Sequence, residues 1–417
     1  MRLLHVTHQY PPAVGGAERH IAGLSAELVR RGHQVDVFTA RSVDANSWAG
    51  VLPAYEELDG VRVHRFEGMQ RGPRTWKVLN WALQGYWRNR WACYAPFIAW
   101  GNGPVSPAMT WRLLRQAGQY DLVHVNSLHY APVSLTFLAT RFHAVPLAVT
   151  PFVHIDQPVV FDIGFQNGIL RRADLVLAMT GREKAYLAER GVARSRVAVA
   201  GSGIALEDFP RRDVRACRKR LRLDPNAFIL LFLGRKEPYK GLETLLQAHA
   251  QLQDLCPDLH LVAAGQETEH SLALRQRFAG LERVVFLDRV SDDEKLDLLN
   301  ACDVFALPSV GESFGIVYLE AWAVGKPVIG ADSGATPSVI TDGVDGLLVT
   351  PGSASDVADK ITRLYQDGAL RERMGAAGHF KASARYSVQR VADVVEGAYV
   401  RTVRQHRNTQ QRGVREP

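Results

Sequence analysis

Cysteine is scarce in this chain: four among 417 residues, Cys93, Cys217, Cys256 and Cys302, with no Cys-x-x-Cys pair. That scatter argues against structural zinc and a disulfide framework, and it fits a reducing cytosol. No apolar run approaches the roughly 20 residues a membrane-spanning helix needs. The opening "MRLLHVTHQYPP" carries His and Gln inside a short apolar run with no small-residue cleavage site, so it reads as a strand, not a signal peptide. No Asp-x-Asp pair occurs, so a metal-bridged diphosphate has no obvious ligands. No strand leads into Gly-x-Gly-x-x-Gly, which disfavours a nicotinamide-dependent dehydrogenase. No repeat of solenoid length is visible.

What is present is a folded composition, 47% hydrophobic with 35 Gly and 20 Pro, in a chain too long for one ordinary core. The net charge of +7 is uneven: residues 1–205 hold 22 Lys and Arg against 14 Asp and Glu. The first half therefore favours an anionic partner. Short apolar strands alternate with amphipathic helices. Strands are expected at Leu3–Thr7, Val35–Thr39, Leu122–Asn126, Leu147–Thr150 and Leu175–Met179, with a helix over Ala17–Arg31. A second series runs Phe228–Gly234, helix Glu243–Gln253, Leu259–Ala264, Val284–Leu287, helix Asp292–Ala301, Val304–Pro308, helix Gly315–Val324 and Pro327–Gly330. Such alternation predicts an α/β fold of two Rossmann-like, doubly wound domains facing across a cleft, with ligands at strand C-termini. The stretch Gly201–Arg222 separates the series. The expected domains are 1–202, 203–385, and a C-terminal helix over 386–417 that returns to the first domain and ends in a frayed basic tail after Val400.

Chemistry concentrates in a few stretches. "FLGRKEPYKG" (Phe232–Gly241) sends Arg235 and Lys240 from a strand end towards a cleft, which suits a diphosphate; solvated surface cations are the equal alternative. "GESFGIVYLEAW" (Gly311–Trp322) carries Glu312 and Glu320. On an ideal helix eight residues rotate 800°, about 80° past two turns, and rise roughly 12 Å. That separation excludes a glycosidase carboxylate pair and suits an elongated ligand touched at two points. Ser313, Phe314 and Gly315 would offer backbone N–H groups at a helix start, and Gly315 would admit a phosphate. A capped helix with Glu320 exposed is the alternative, although Glu320 among Leu319, Ala321 and Trp322 calls for a partner. In the first half, Gly15 and Gly16 open a helix after a strand, and His154 in "VTPFVHID" follows another strand.

Taken in order, "GGAE" at 15–18, His154, "GRKEPYKG" at 234–241 and "ESFGIVYLEAWAVGKPVIG" at 312–330, with its Glu-x7-Glu spacing, resemble the family-four retaining glycosyltransferases of the GT-B fold over nearly the whole chain. The resemblance implies transfer of a hexose from a nucleotide-diphosphate sugar, as co-substrate rather than cofactor, with no metal ion. It implies that Gly16, beside Gly15, donates to the diphosphate and that Arg235 and Lys240 neutralise the leaving group. Glu312 would read the donor sugar, the amides of Phe314, Gly315 and the adjoining Ile316 with Ser313 would orient sugar and phosphate, Glu320 would hold the ribose, and His154 would lie beside the anomeric centre. Alternatives within the fold are a phosphorylase, a nucleotide-sugar epimerase or an inactive sugar-nucleotide binder; no pyridoxal-binding Lys motif is visible. One departure stands out. Where the family often has Pro-Asn-Gly-Val/Ile-Asp, this chain has Gly201-Ser202-Gly203-Ile204-Ala205, so the Asn and Asp functions of that turn are absent or moved.

Residues 71–115 differ from the rest. No acidic residue falls between Glu67 and Asp121, and six of the eight Trp lie here, at 76, 81, 87, 91, 100 and 111. Trp76, Leu79, Leu83, Trp87, Trp91 and Tyr94 follow helical spacing beside Arg71, Arg74, Lys77, Arg88 and Arg90. That pattern suits an anionic membrane surface or a lipid-linked acceptor; a helical pair packed on the first domain is the alternative. Nucleic acid is a poorer fit, because no binding module accompanies the charge. The expected acceptor is a glycan or lipid-linked molecule, and the expected location is cytoplasmic, extending to the periphery of the inner membrane face.

Overall fold

The computed structural model describes residues 1–13, 15–44 and 47–413. It divides into two units, Met1–Gly203 with the terminal stretch from Val388, and Ile204–Ser387. The first unit holds an eight-stranded sheet of β1 (Arg2–Val6), β2 (Gln34–Ala40), β3 (Tyr55–Leu58), β4 (Val61–Phe66), β5 (Leu122–Asn126), β6 (Leu147–Thr150), β7 (Leu175–Ala178) and β8 (Val197–Val199), in the order β3-β4-β2-β1-β5-β6-β7-β8. Every neighbouring pair is parallel except β3 with β4.

The central strands are buried on both faces beneath helices, although His5, Asp36 and His124 interrupt their apolar runs. Leu3 of β1 faces one core with Ile21, Leu24 and Leu28 of the helix Gly16–Arg30. Its neighbours Leu4 and Val6 face the other, with Met109, Leu113 and Val123. The antiparallel pair β3–β4 adds an edge the sequence reading lacked. Its turn is Asp59-Gly60, both left-handed at φ 50° and 76°, which is the two-residue hairpin signal.

The helix Val388–Gly413 packs Val391, Val395 and Tyr399 into the same core as Leu3 and Ile21. The expectation of a tail frayed after Val400 is corrected here up to Gly413; residues 414–417 lie outside the described residues. Apolar spacing persists to Val403, and beyond it Arg407 pairs with Asp121 at 2.6 Å while His406 and Gln410 donate to the Ala144 carbonyl.

The second unit carries β9 (Phe228–Leu233), β10 (Leu259–Ala264), β11 (Val284–Leu287), β12 (Val304–Leu307), β13 (Val328–Ala331) and β14 (Gly346–Val349), all parallel, ordered β11-β10-β9-β12-β13-β14. The chain runs outward from β9 to β11, then crosses back to β12. Neighbours β9 and β12 thus flank the point where strand order reverses, the place where open α/β sheets bind ligands.

Candidate functional site

In the second unit the loops after β9 and β12 lie side by side. The Val310 N–H and the Ser309 hydroxyl both donate to the Tyr239 carbonyl, at 2.8 and 3.1 Å. Gly241 sits at φ 80°, and a Cβ there would lie 2.4 Å from the Pro308 carbonyl oxygen, so only glycine permits this approach. Across the seam Lys240 Nζ meets Glu312 Oε1 at 2.5 Å. Burial opposes the Lys240 charge, but the Glu312 carboxylate outweighs it and the lysine's pKa is raised. Arg235 is exposed, with its guanidinium reaching the Tyr239 hydroxyl at 3.5 Å. Lys236, between them, is wholly buried and serves the fold: it donates to Glu267 at 3.0 Å and to the Leu287 carbonyl at 2.8 Å.

The helix after β12 starts later than the spacing suggests. It spans Ile316–Ala323, with Gly315 as N-cap at φ 88° and ψ 60°. Glu312 therefore precedes the helix, and the ideal-helix relation between Glu312 and Glu320 does not apply. Gly315 is required twice over: by its left-handed backbone, and because a Cβ would come 2.5 Å from the Tyr318 ring. Tyr318 is buried and donates to the Leu307 carbonyl at 2.7 Å, tying the helix start to β12. Phe314 turns inward against Tyr386, whereas Ser313 and Ile316 are half-buried. Glu320 is buried, not exposed, and accepts from Lys295 Nζ at 3.0 Å. Lys295 also lies over the Phe209 ring at 5.1 Å. Lys295 was missed by the sequence reading; the only signal was the need of a buried carboxylate for a cation.

In the first unit Gly15 caps the helix Gly16–Arg30 in extended conformation. A Cβ on Gly15 would lie 2.1 Å from Glu18 Oε2, so glycine lets Glu18 fold back over the helix start. Glu18 pairs with His8 Nε2 at 2.9 Å. His154 follows β6, half-buried, and stacks on Phe161 with centroids 5.2 Å apart. Its loop is pinned from beneath. The Val153 and Met179 amides donate to the two oxygens of Glu183, at 2.9 and 2.6 Å. Burial pushes the Glu183 pKa up to about 7, against those two hydrogen bonds. Ser127 after β5 and Phe152 after β6 adopt left-handed backbone, φ 64° and 50°, at the strand ends where site residues collect.

The aromatic segment does not form one stripe. Its first helix is Pro73–Asn89, ended by Arg90 in left-handed conformation, so Trp91 and Tyr94 lie beyond it. Leu79, Ala82 and Tyr86 form the buried face, packed with Ile98 and Ile163. Trp81, Trp91 and Trp111 are 54%, 60% and 60% exposed, and Trp81 gathers Tyr94 and Phe97 at 5.3 and 5.5 Å. Among the described residues no helix is long and apolar enough to cross a membrane. Nor do they hold a group of three His, Cys, Asp or Glu placed for a metal ion.

Two family descriptions match the chain: "Glycosyl transferase 4-like domain" over residues 15–203 and "Glycosyl transferases group 1" over 213–379. A D-inositol 3-phosphate glycosyltransferase of a Nocardioides species is 30% identical over 411 residues, covering 91% of this chain and 83% of that protein. The protein of the same name from Stackebrandtia nassauensis is 28% identical, covering 92% and 86%. Among solved structures, sucrose-phosphate synthase from Thermosynechococcus elongatus superposes with a TM-score of 0.77 at 22% identity, over 96% of this chain and 98% of that one. Anabaena HepE, solved with UDP and glucose, gives 0.72 at 20% identity, over 95% and 98%. These likenesses establish the fold as GT-B.

Proposed function

The chain belongs to the group 1 glycosyltransferases, and from that premise we propose that it moves a hexose from a nucleotide-diphosphate sugar to a glycan or lipid-linked acceptor, with retention and without a metal ion. The observation that carries this reading is the Lys240–Glu312 pair at the switch between β9 and β12, beside the helix start at Gly315.

Breaking the bond between the anomeric carbon and the diphosphate builds positive charge on the sugar and negative charge on the leaving group. Arg235 and Lys240 neutralise the phosphates, and the Phe314, Gly315 and Ile316 amides, with Ser313, orient them; fixed donors need no reorganisation as charge develops. Glu312, held by Lys240, accepts from the sugar hydroxyls. Glu320, held by Lys295, accepts from the ribose. For Gly16, next to Gly15, the role we propose is an amide hydrogen bond to phosphate, and for His154 a hydrogen bond to the sugar near its anomeric carbon. The acceptor oxygen attacks the face that the diphosphate leaves, and its proton passes to the departing phosphate oxygen. No protein base is required for this route.

On the acceptor side, exposed Trp81, Trp91 and Trp111 beside basic residues support contact with an anionic membrane surface. The relatives named for D-inositol 3-phosphate favour a second acceptor class, a soluble phosphorylated polyol. A panel of UDP-, GDP- and ADP-sugars, followed by thermal shift and hydrolysis, tests the donor reading. Stabilisation and sugar release with one nucleotide class support it; no response to any of them removes it.

A further inference from the structure

We infer that Tyr86 and Trp87, on the helix Pro73–Asn89, are positioning residues for His154. The inference rests on the reading that puts His154 beside the anomeric carbon, and it adds how the aromatic segment holds that imidazole.

His154 belongs to the loop between β6 and the helix Gly164–Arg172, a loop that carries the short helix Pro158–Phe161. Such a loop keeps a side chain in place only where tertiary contacts fix its backbone. Glu183 anchors the strand side of His154 through the Val153 amide. The far side is anchored by the aromatic segment. Trp87 Nε1 donates to the Val159 carbonyl at 2.9 Å, and the Gly164 amide donates to the Tyr86 hydroxyl at 2.7 Å. Between these two ties lies Phe161, buried, with its ring stacked on the His154 imidazole at 5.2 Å and 23° between planes. Ile163, wholly buried, packs with Leu79, Ala82 and Tyr86. Tyr86 and Trp87 thus grip the chain on either side of the ring that His154 rests on.

Both ties end on backbone groups that helices leave unpaired, a carbonyl of the short helix and the first amide of the next. They therefore fix the course of the chain, not merely a side chain. The grip is itself stiffened. Arg90 ends the helix Pro73–Asn89 in left-handed conformation and lays its guanidinium over the Trp87 ring at 3.7 Å and the Tyr86 ring at 5.4 Å. Glycine at 164 leaves room for the hydroxyl, since a Cβ there would stand 3.1 Å from it. Displacement of a reacting group by about 1 Å can cost roughly 10²-fold in rate, so a loop held this way matters to turnover.

Wild type, Tyr86→Phe, Trp87→Phe, the two together, and His154→Ala are assayed for hydrolysis of UDP-glucose, GDP-mannose and ADP-glucose, each checked by thermal melting. With the nucleotide sugar that wild type hydrolyses, His154→Ala lowers kcat. The paired variant lowers kcat at least about ten-fold and leaves KM within about two-fold, because the proposed phosphate and ribose contacts are untouched. Added to His154→Ala, the pair costs nothing further, because the imidazole it positions is gone. A merely structural loss would repeat in that background. Should the paired variant fail to fold, Tyr86→Phe and Trp87→Phe singly each show part of the kcat loss and the same non-additivity. Unchanged kcat in the folded variants, or an equal loss with and without His154, overturns the positioning role and leaves the transferase reading standing. Wild-type kcat in His154→Ala overturns the assignment of His154, and hydrolysis of none of the three sugars by wild type removes the transferase reading; the inference falls with either.

Discussion

Lys240 and Glu312, 72 positions apart in the chain, meet at 2.5 Å across the seam between the loops that follow β9 and β12. Both side chains are largely shielded, at 15% and 9% exposed, so each holds the other's charge in place for a ligand. In the proposed mechanism the lysine faces phosphate and the glutamate faces sugar. Lys240→Met therefore lowers turnover by roughly 10²–10³-fold, the range for loss of one preorganised donor. Glu312→Gln keeps the shape and weakens sugar recognition more than nucleotide affinity. Calorimetry with nucleoside diphosphate and with nucleotide sugar separates the two effects; equal affinity and turnover in Lys240→Met and wild type contradicts the assignment.

Glu320 and Lys295 form a second buried pair at 3.0 Å. Removing one partner leaves the other charge stranded, a loss of roughly 3–5 kcal/mol in buried pairs. Lys295→Met is expected to lower the melting temperature and to weaken nucleotide binding about ten-fold, since Glu320 is no longer held. The double variant Lys295→Met/Glu320→Gln recovers stability without recovering affinity. Recovery of both means that Glu320 serves the fold alone.

Stability of the first unit should fall in acid. His5, His20 and His124 are buried and His129 is half-buried, and desolvation lowers their pKa values: His5 and His129 to about 3, His20 to about 4 and His124 well below its usual value. Unfolded, each binds a proton below pH 6.5, so their contribution is complete above that value and declines as pH falls towards the folded values. Glu183, raised to about 7 by burial, works the other way between its ordinary range and pH 7, and offsets about one histidine. Unfolding of this unit at pH 5.5 is thus expected to take up about three protons in net. Denaturant titrations between pH 5 and 7 measure this through the slope of stability; a flat profile contradicts the assignment of neutral, desolvated imidazoles.

The exposed aromatics on the 73–102 segment give a prediction for membranes. Vesicles with anionic lipid should sediment the protein at low salt and less at physiological salt, because surface charge is screened over about 10 Å at 0.1 M. Trp81→Ala with Phe97→Ala reduces the bound fraction several-fold. No sedimentation at either salt removes the membrane proposal.

Much of the fold was legible because the strands of the second sheet are largely apolar runs between helical patterns, as at Phe228–Leu233 and at Leu259–Ala264, where only His260 intervenes. The hairpin β3–β4 escaped because Tyr55–Leu58 alternates exposure at an edge and carries two glutamates, although Asp59-Gly60 marked its turn. The strand β8, three residues long, offered too few for a period. At the site, residue types and order were legible, but their partners were not. Lys295 is 25 positions from Glu320, and no local spacing relates them. Gly315 shows the opposite failure. Read as a helical residue, it extends the helix to Glu312; its left-handed backbone separates the two.

The most direct test is donor turnover by wild type and Arg235→Gln, each with EDTA and with added magnesium or manganese. If side-chain cations and backbone amides hold the diphosphate, wild type keeps its full rate under chelation, and Arg235→Gln falls about 10²-fold under every condition. Loss of wild-type activity in EDTA with rescue by a divalent ion, beside an unimpaired Arg235→Gln, would contradict the account.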